Sequence, residues 1–276
     1  MIRIFDFIVN SAYLFKTEFP ISHKMRIFFT YVFLTLISLL SNVINIKNIA
    51  FLGYQIEGDF KNCYYLFGEL FVKNEYYFVS KKKNPVILDC GSNIGLSVIY
   101  FKMLFPNCII YSFEPDPTSF AILQRNIQSN NLAEHVYLYN EAVSDRTMVI
   151  DFYTETTQGS LIASTQRGRV NKKITVQAQN LAEFIKDTHF DFMKMDIEGS
   201  EIIVMNELNR KNKLKQISKM TIEYHHHVGT EKDQFGIFLS LLERSGFSYQ
   251  IDTRNVPIHK SDKFQDILVI AYNRYQ

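Results

Sequence analysis

From Pro85 to the C-terminus, short apolar runs alternate with helical patterns, the signature of βαβ units around a parallel sheet. Val86 to Cys90 reads as a strand buried on both faces. Ile94 to Phe105 reads as a helix stopped by Pro106, and Cys108 to Phe113 as the second strand. Pro117 to Ser129 has proline at its first turn, where the missing N–H costs nothing, and reads as the second helix. Val136 to Asn140 is the third strand. Between Thr147 and Val176 the pattern breaks into alternating segments, predicting a β-hairpin insertion near Gly159. A short helix is expected over Leu181 to Lys186, and a fourth strand over Phe192 to Asp196. A helix from Ser200 to about Leu208, a strand from Lys219 to Tyr224 and a helix from Gln234 to Arg244 follow. Phe247 to Asp252 and Gln265 to Tyr272 are expected as two antiparallel strands.

These elements describe a Rossmann-like α/β fold: a mostly parallel seven-stranded sheet closed by an antiparallel hairpin, occupying residues 85–276. In such a sheet ligands bind beyond the carboxyl ends of the strands, where strand order reverses. Residues 1–84 are expected as a separate extension of helices followed by an irregular, aromatic-rich stretch. Within it, Ile27 to Ile46 carries no charge and is long enough to span a bilayer. Yet Thr35, Ser38, Asn42 and Asn45 gather on one helical face, and Lys16, Lys24 and Arg26 precede the segment. The expectation is a docked or membrane-surface helix, with peripheral membrane contact through residues 27–46 and the catalytic sheet left in the cytoplasm.

Composition removes some functions. A formal net charge of +2 without a concentrated basic face argues against a sequence-independent nucleic-acid binder. Cys63, Cys90 and Cys108 match no zinc spacing and read as buried reduced thiols.

The chemistry gathers at strand ends. The first strand runs into Asp89-Cys90-Gly91-Ser92-Asn93-Ile94-Gly95 and then a helix, whose N-terminus offers free N–H groups. Gly91 allows the sharp turn and Gly95 close packing of the first helical turn. The spacing is D-x-G-x-x-x-G rather than G-x-G-x-x-G. A carboxylate beside a helix dipole suits a zwitterionic amino-acid moiety better than a pyrophosphate. Glu114, followed by Pro115 at the end of the second strand, is placed to accept both hydroxyls of a ribose. Glu141 and Ala142, after the third strand, are placed to lie over an adenine. The fourth strand ends Lys194-Met195-Asp196-Ile197-Glu198-Gly199. Asp196 is the candidate to bind or deprotonate a substrate hydroxyl, and Lys194 reads as its structural ion-pair partner. At the end of the fifth strand, Glu223 and His225 are further candidates, His225 as an alternative base. The three adjacent histidines invite a minor metal reading, in which at most His225 and His227 could cooperate, with Asp196 or Glu223 added. Only alternate side chains share a face, and methyl transfer needs no Lewis acid to activate a charged sulfonium.

In combination, Asp89-Cys-Gly91-Ser-Asn93-Ile-Gly95, Phe113-Glu114-Pro115-Asp116, Ala142-Val143-Ser144-Asp145 and Lys194-Met-Asp196-Ile-Glu198-Gly199 resemble the FkbM-type methyltransferases over roughly residues 69–224. The resemblance implies S-adenosyl-L-methionine as cofactor, held by Asp89, Gly91, Asn93, Gly95 and Glu114. It also implies O-methylation of a small-molecule or glycan hydroxyl, on a sugar or a secondary-metabolite-like acceptor. The competing readings are a nicotinamide-dependent oxidoreductase and a non-enzymatic glycan- or membrane-associated module that kept the fold.

Overall fold

The computed structural model describes residues 4–40, 46–154, 163–164, 172–226, 234–252 and 265–275. Two helices open the chain, α1 (Ile4–Lys16) and α2 (Ile21–Leu40), followed by a hairpin of β1 (Asn48–Phe51) and β2 (Tyr54–Glu57). Next come α3 (Phe60–Phe67), capped by the Asp59 carboxylate, and one wide π-type turn over Gly68–Lys73. The expected irregular stretch is thus largely regular. Its hairpin turns on Leu52 and Gly53 with φ of 52° and 94°, the left-handed pair of a tight hairpin turn.

The sheet elements follow in order: β3 (Val86–Cys90), α4 (Leu96–Leu104), β4 (Ile109–Phe113), α5 (Pro117–Ser129) and β5 (Val136–Tyr139). Then come β6 (Ala142–Ser144), β7 (Met148–Thr154), β8 (Ala163–Ser164), β9 (Lys172–Asn180), α6 (Leu181–Ile185), β10 (Phe190–Met195) and α7 (Glu201–Arg210). The chain ends with β11 (Ile217–His226), α8 (Phe235–Arg244), β12 (Phe247–Asp252) and β13 (Gln265–Asn273).

The main sheet has seven strands in the order β12-β13-β11-β10-β3-β4-β5. Strands β3, β4, β5, β10 and β11 pair in parallel, while β13 is antiparallel to both its neighbours. The closing hairpin therefore does not simply append to the edge, because β13 slots between β11 and β12. Strand order reverses between β3 and β10, which fixes the switch point. In place of a simple hairpin insertion, β6, β7, β8 and β9 form a second sheet of four strands. Gly159 lies outside the described residues.

The extension and the sheet share one core. Leu14, Ile27, Leu34 and Phe67 belong to the same buried cluster as Ile99, Phe101, Ile110 and Phe192. Phe78 stacks on Phe192 of β10 with ring centroids 4.4 Å apart and planes at 4°. The backbone of β2 is met by side chains of α5. The Asn126 and Asn130 oxygens accept from the Glu57 and Gln55 N–H groups, at 2.7 and 2.8 Å. Arg125 adds a two-pronged pair with Glu57. These contacts satisfy an edge that would otherwise present free amides. The far face of the sheet buries a second cluster around Phe113, Phe190, Met195, Ile222 and Phe238.

Of the polar stripe, Thr35 and Ser38 lie half-buried on α2, and Asn42 and Asn45 lie outside the described residues. The Thr35 hydroxyl lies 2.7 Å from the Tyr31 carbonyl, which accepts its bond, and 3.0 Å from the Tyr64 hydroxyl. Phe29, Phe33 and Leu36 point outward and are each more than half exposed. Among the described residues no helix is long and apolar enough to cross a membrane.

Candidate active site

Strand register brings the candidate residues level. Cys90 stands opposite Phe113 on one side and Met195 on the other, and Met195 stands opposite Ile222. The next residues, Gly91, Glu114, Asp196 and Glu223, therefore share the upper rim at the switch point. Backbone bonds fasten the strand ends together. Gly91 and Ser92 N–H both donate to the Phe113 carbonyl at 2.9 Å, and Asp196 N–H donates to the Cys90 carbonyl at 3.0 Å.

Gly91 is required by space as well as by its φ of 89°, since a Cβ there would stand 1.9 Å from the Asp196 carbonyl oxygen. Asn93 is also left-handed, with φ of 48°. Its N–H donates to Glu114 Oε2 at 2.8 Å, while Asp116 N–H donates to Oε1 at 2.9 Å. These two bonds stretch the Glu114 carboxylate along the loop. Burial pushes its pKa up to about 7, against the lowering effect of both bonds. The Asn140 amide donates to the Glu114 and Pro115 carbonyls and fixes that turn. Ser92 is buried, accepting from the Ser112 hydroxyl at 2.6 Å. Gly95 packs on Leu123, as its role in the first helical turn requires. Ala142 begins β6 and is buried in the small second sheet, beside the half-buried Glu141.

Asp89 is fully enclosed, and its Oδ1 has no hydrogen-bond partner among the described residues. The Ser97 hydroxyl donates to Oδ2 at 2.6 Å, and Lys194 Nζ lies 3.9 Å from Oδ1. Desolvation raises its pKa. The cause is the pleat: Asp89 and Lys194 stand opposite each other on paired strands and point to the same side. Asp89 holds α4 and Lys194, and shapes the loop from beneath.

Lys194 bridges the two halves of the rim. It donates to the Gly91 carbonyl and to Asp196 Oδ2, the latter at 3.4 Å, and lies over the Tyr76 ring. Burial pulls its pKa down, but Asp196, Asp89 and Glu223 outweigh burial and hold the ammonium charged. The expected structural ion pair is thus extended to both carboxylates.

At the end of β11 His225 is buried. Its Nδ1 lies 2.7 Å from Glu201 Oε1, and Nε2 lies 3.4 Å from Glu198 Oε2 and 3.7 Å from Asp196 Oδ1. Desolvation lowers its pKa, but Glu201, Glu198 and Asp196 overcome that and raise it well above the ordinary value. These carboxylates favour the protonated ring, with Nε2 facing Glu198 and Asp196. Glu223 is buried alongside, and its charge acts on both Lys194 and Tyr76.

Two participants were not expected. Glu201, at the start of α7, also accepts from the Gly199 N–H at 3.0 Å and so ties the strand-end turn to His225. Its signal was present as a carboxylate in the first turn of the helix after the motif, a position ordinarily credited to the helix dipole. Tyr76 comes from the extension. Its phenol is buried among Asp196, Glu223, Glu69 and Glu75, and burial first, then those charges, raises its pKa. No local pattern separates it from its aromatic neighbours.

The model of the methyltransferase FkbM domain matches residues 89–249, more than half of the chain. Methyltransferase 1 of Beauveria bassiana is 23% identical over 206 residues, 67% of this chain and 80% of its own length. The 2-O-methyltransferase NoeI of Sinorhizobium fredii is 27% identical over 139 residues, 44% of this chain and 56% of its own. A crystal structure of a methyltransferase FkbM from Methylobacillus flagellatus aligns with a TM-score of 0.48 and 18% identity, covering 73% of this chain and 47% of that one. The chain belongs to the FkbM methyltransferase family and is a methyl-transferring enzyme.

Proposed function

We propose that the chain is an S-adenosyl-L-methionine-dependent O-methyltransferase acting on a hydroxyl of a sugar, glycan or secondary-metabolite-like acceptor. The observation that carries this reading is the rim itself. A buried carboxylate, Glu114, stands beside a loop without a side chain at Gly91, and a charged hydroxyl-binding cluster stands on the next strands. The cofactor fits these residues. Glu114 suits the two ribose hydroxyls, and the backbone of Gly91 to Gly95 with the start of α4 suits the carboxylate end. Asp89 lies buried beneath that loop with its Oδ1 lacking a hydrogen-bond partner. When bound, the cofactor supplies a methyl group on a charged sulfonium.

The chain's own residues then orient the acceptor. Asp196, a quarter exposed and flanked by Lys194 and His225, is the group open to accept a hydrogen bond from the incoming hydroxyl. Placement accounts for much of the rate when the electrophile is already activated. The names of the relatives support oxygen as the acceptor atom, NoeI being a 2-O-methyltransferase. Calorimetry with S-adenosylhomocysteine tests the reading. Folded protein should bind it, and Glu114→Ala should weaken binding by about tenfold or more through loss of charge-assisted bonds. Failure of the folded wild type to bind would end the proposal.

The outward ridge of α2 supports a second element of the reading, contact with a membrane surface. Phe29, Phe33 and Leu36 follow Lys24 and Arg26 on a helix without acidic residues, and Ile8 and Ile21 add exposed apolar surface nearby. Residues 41–45 of the expected contact lie outside the described residues. Flotation with vesicles containing anionic lipid should carry the protein upward, and Phe29→Ser with Phe33→Ser should leave it behind. Equal flotation of both proteins would remove this element.

A further inference from the structure

The acceptor side holds more negative charge than positive. Among the described residues Asp89, Asp196, Glu198, Glu201 and Glu223 gather around Lys194 and His225. One ligand-capable atom from each of Asp196, Glu198 and His225 lies within 4.8 Å of the other two. A divalent cation with bonds of about 2.1 Å holds neighbouring ligands about 3–3.5 Å apart. The separations from His225 Nε2, 3.4 Å to Glu198 and 3.7 Å to Asp196, already approach that range. Both carboxylates are partly open to solvent, so an ion has a way in.

The far side of the imidazole points the same way. His225 Nδ1 is fixed by the buried Glu201 carboxylate at 2.7 Å, and Glu201 is fixed in turn by the Gly199 N–H. A carboxylate on one ring nitrogen, with the other nitrogen turned to Asp196 and Glu198, is the arrangement that orients metal-binding histidines and makes them better donors. Glu198 is delivered by the strand-end turn, where its own φ is 56° and that of Gly199 is 106°.

We propose that Asp196, Glu198 and His225 form a binding site for one divalent cation of the manganese or zinc class, with Glu201 as the positioning carboxylate behind His225. One imidazole and two carboxylates suit such ions, and Nε2 coordinates in place of carrying a proton. Three protein ligands leave positions open toward the cleft, where one or two oxygens of the acceptor can bind. The ion would then act on the acceptor, placing its hydroxyl and favouring the ionised form. A charged sulfonium needs no such help, so the sequence argument against a metal does not reach this role.

The inference rests on reading this side of the rim as the acceptor half, and its test does not need turnover. Metal-stripped protein is titrated with Mn²⁺ and free ion is followed by electron paramagnetic resonance, in parallel with S-adenosylhomocysteine calorimetry. One saturable Mn²⁺ site per chain is expected. Glu198→Gln and His225→Ala should each weaken it by about tenfold or more while S-adenosylhomocysteine still binds, which also certifies the fold. Glu114→Ala should do the reverse, losing the nucleoside while keeping Mn²⁺. If protein competent for S-adenosylhomocysteine shows no saturable Mn²⁺ or Zn²⁺ site, or if both acceptor-side variants bind as the wild type does, the cation site is refuted. The cofactor reading would survive that result.

Discussion

Glu114 offers a test in which the sign and the size both come from the structure. The group is buried, and its pKa stands at about 7 against an ordinary 4.5. An acid whose pKa rises on folding adds stability below its unfolded pKa and loses it as pH climbs through the folded value. Below pH 4.5 the carboxyl is protonated in both states. From there to about 7 the unfolded chain ionises it and the folded chain does not, so the balance tilts toward unfolding. At about 1.4 kcal/mol per pH unit, the full cost above pH 7 is about 3 kcal/mol. Glu114→Gln has no such titration and serves as the reference, since other groups titrate equally in both proteins. Thermal melts at half-unit steps should show the wild type losing about 2–3 kcal/mol relative to Glu114→Gln between pH 5 and 8. For a chain of this size that is about 5–10 °C in Tm. Ribose hydroxyls that donate to the carboxylate favour its charged form, so saturating S-adenosylhomocysteine should flatten the curve. A stability difference that stays level from pH 5 to 8 without ligand would mean that Glu114 is hydrated, and the dry ribose subsite would be wrong.

Other substitutions probe the remaining supports. Gly91→Ala forces a methyl into the Asp196 carbonyl at a left-handed position, and should cost at least about 3 kcal/mol together with S-adenosylhomocysteine binding. Chemical denaturation and calorimetry would show it, and a neutral outcome would contradict the packing of β3 against β10. Lys194→Met removes the cation facing Asp89 and should destabilise by about 3–5 kcal/mol at pH 8. The loss should be smaller at pH 5, because Asp89 has a raised pKa and takes up a proton more readily. Phe78→Ala breaks the stack on Phe192 and should cost about 3–5 kcal/mol in a single cooperative transition. A two-step unfolding curve, with residues 1–84 melting first, would instead make the extension a separate domain.

Much of the sheet was readable because its central strands are largely buried and its elements are punctuated by glycine and proline. Val86 to Cys90, Pro117 to Ser129 and Phe247 to Asp252 coincide with β3, α5 and β12. The helix expected from Ile94 begins at Leu96, because Asn93 and Gly95 both adopt left-handed backbone to complete the loop. The hairpin of β1 and β2 was missed: its strands have four residues each, and its turn carries Leu52 where asparagine is usual. At the rim, motif spacing placed Gly91, Glu114, Asp196 and His225 on one cleft, but it was silent on which way side chains point. Asp89 turns under the loop because it shares a pleat with Lys194, and Glu201 reaches His225 from another element. Such facts depend on strand pairing and helix docking, which local pattern does not encode.

Tyr76 carries a consequence for how such an enzyme diversifies. The parallel sheet supplies the strand-end loops of the rim, whereas this ring, lying over Lys194, is delivered by the segment that precedes the sheet. Changes in that preceding segment therefore reach the buried surroundings of Lys194 and Asp196. The nucleoside-binding loops need not change, and new acceptor preferences can arise without rebuilding the catalytic frame.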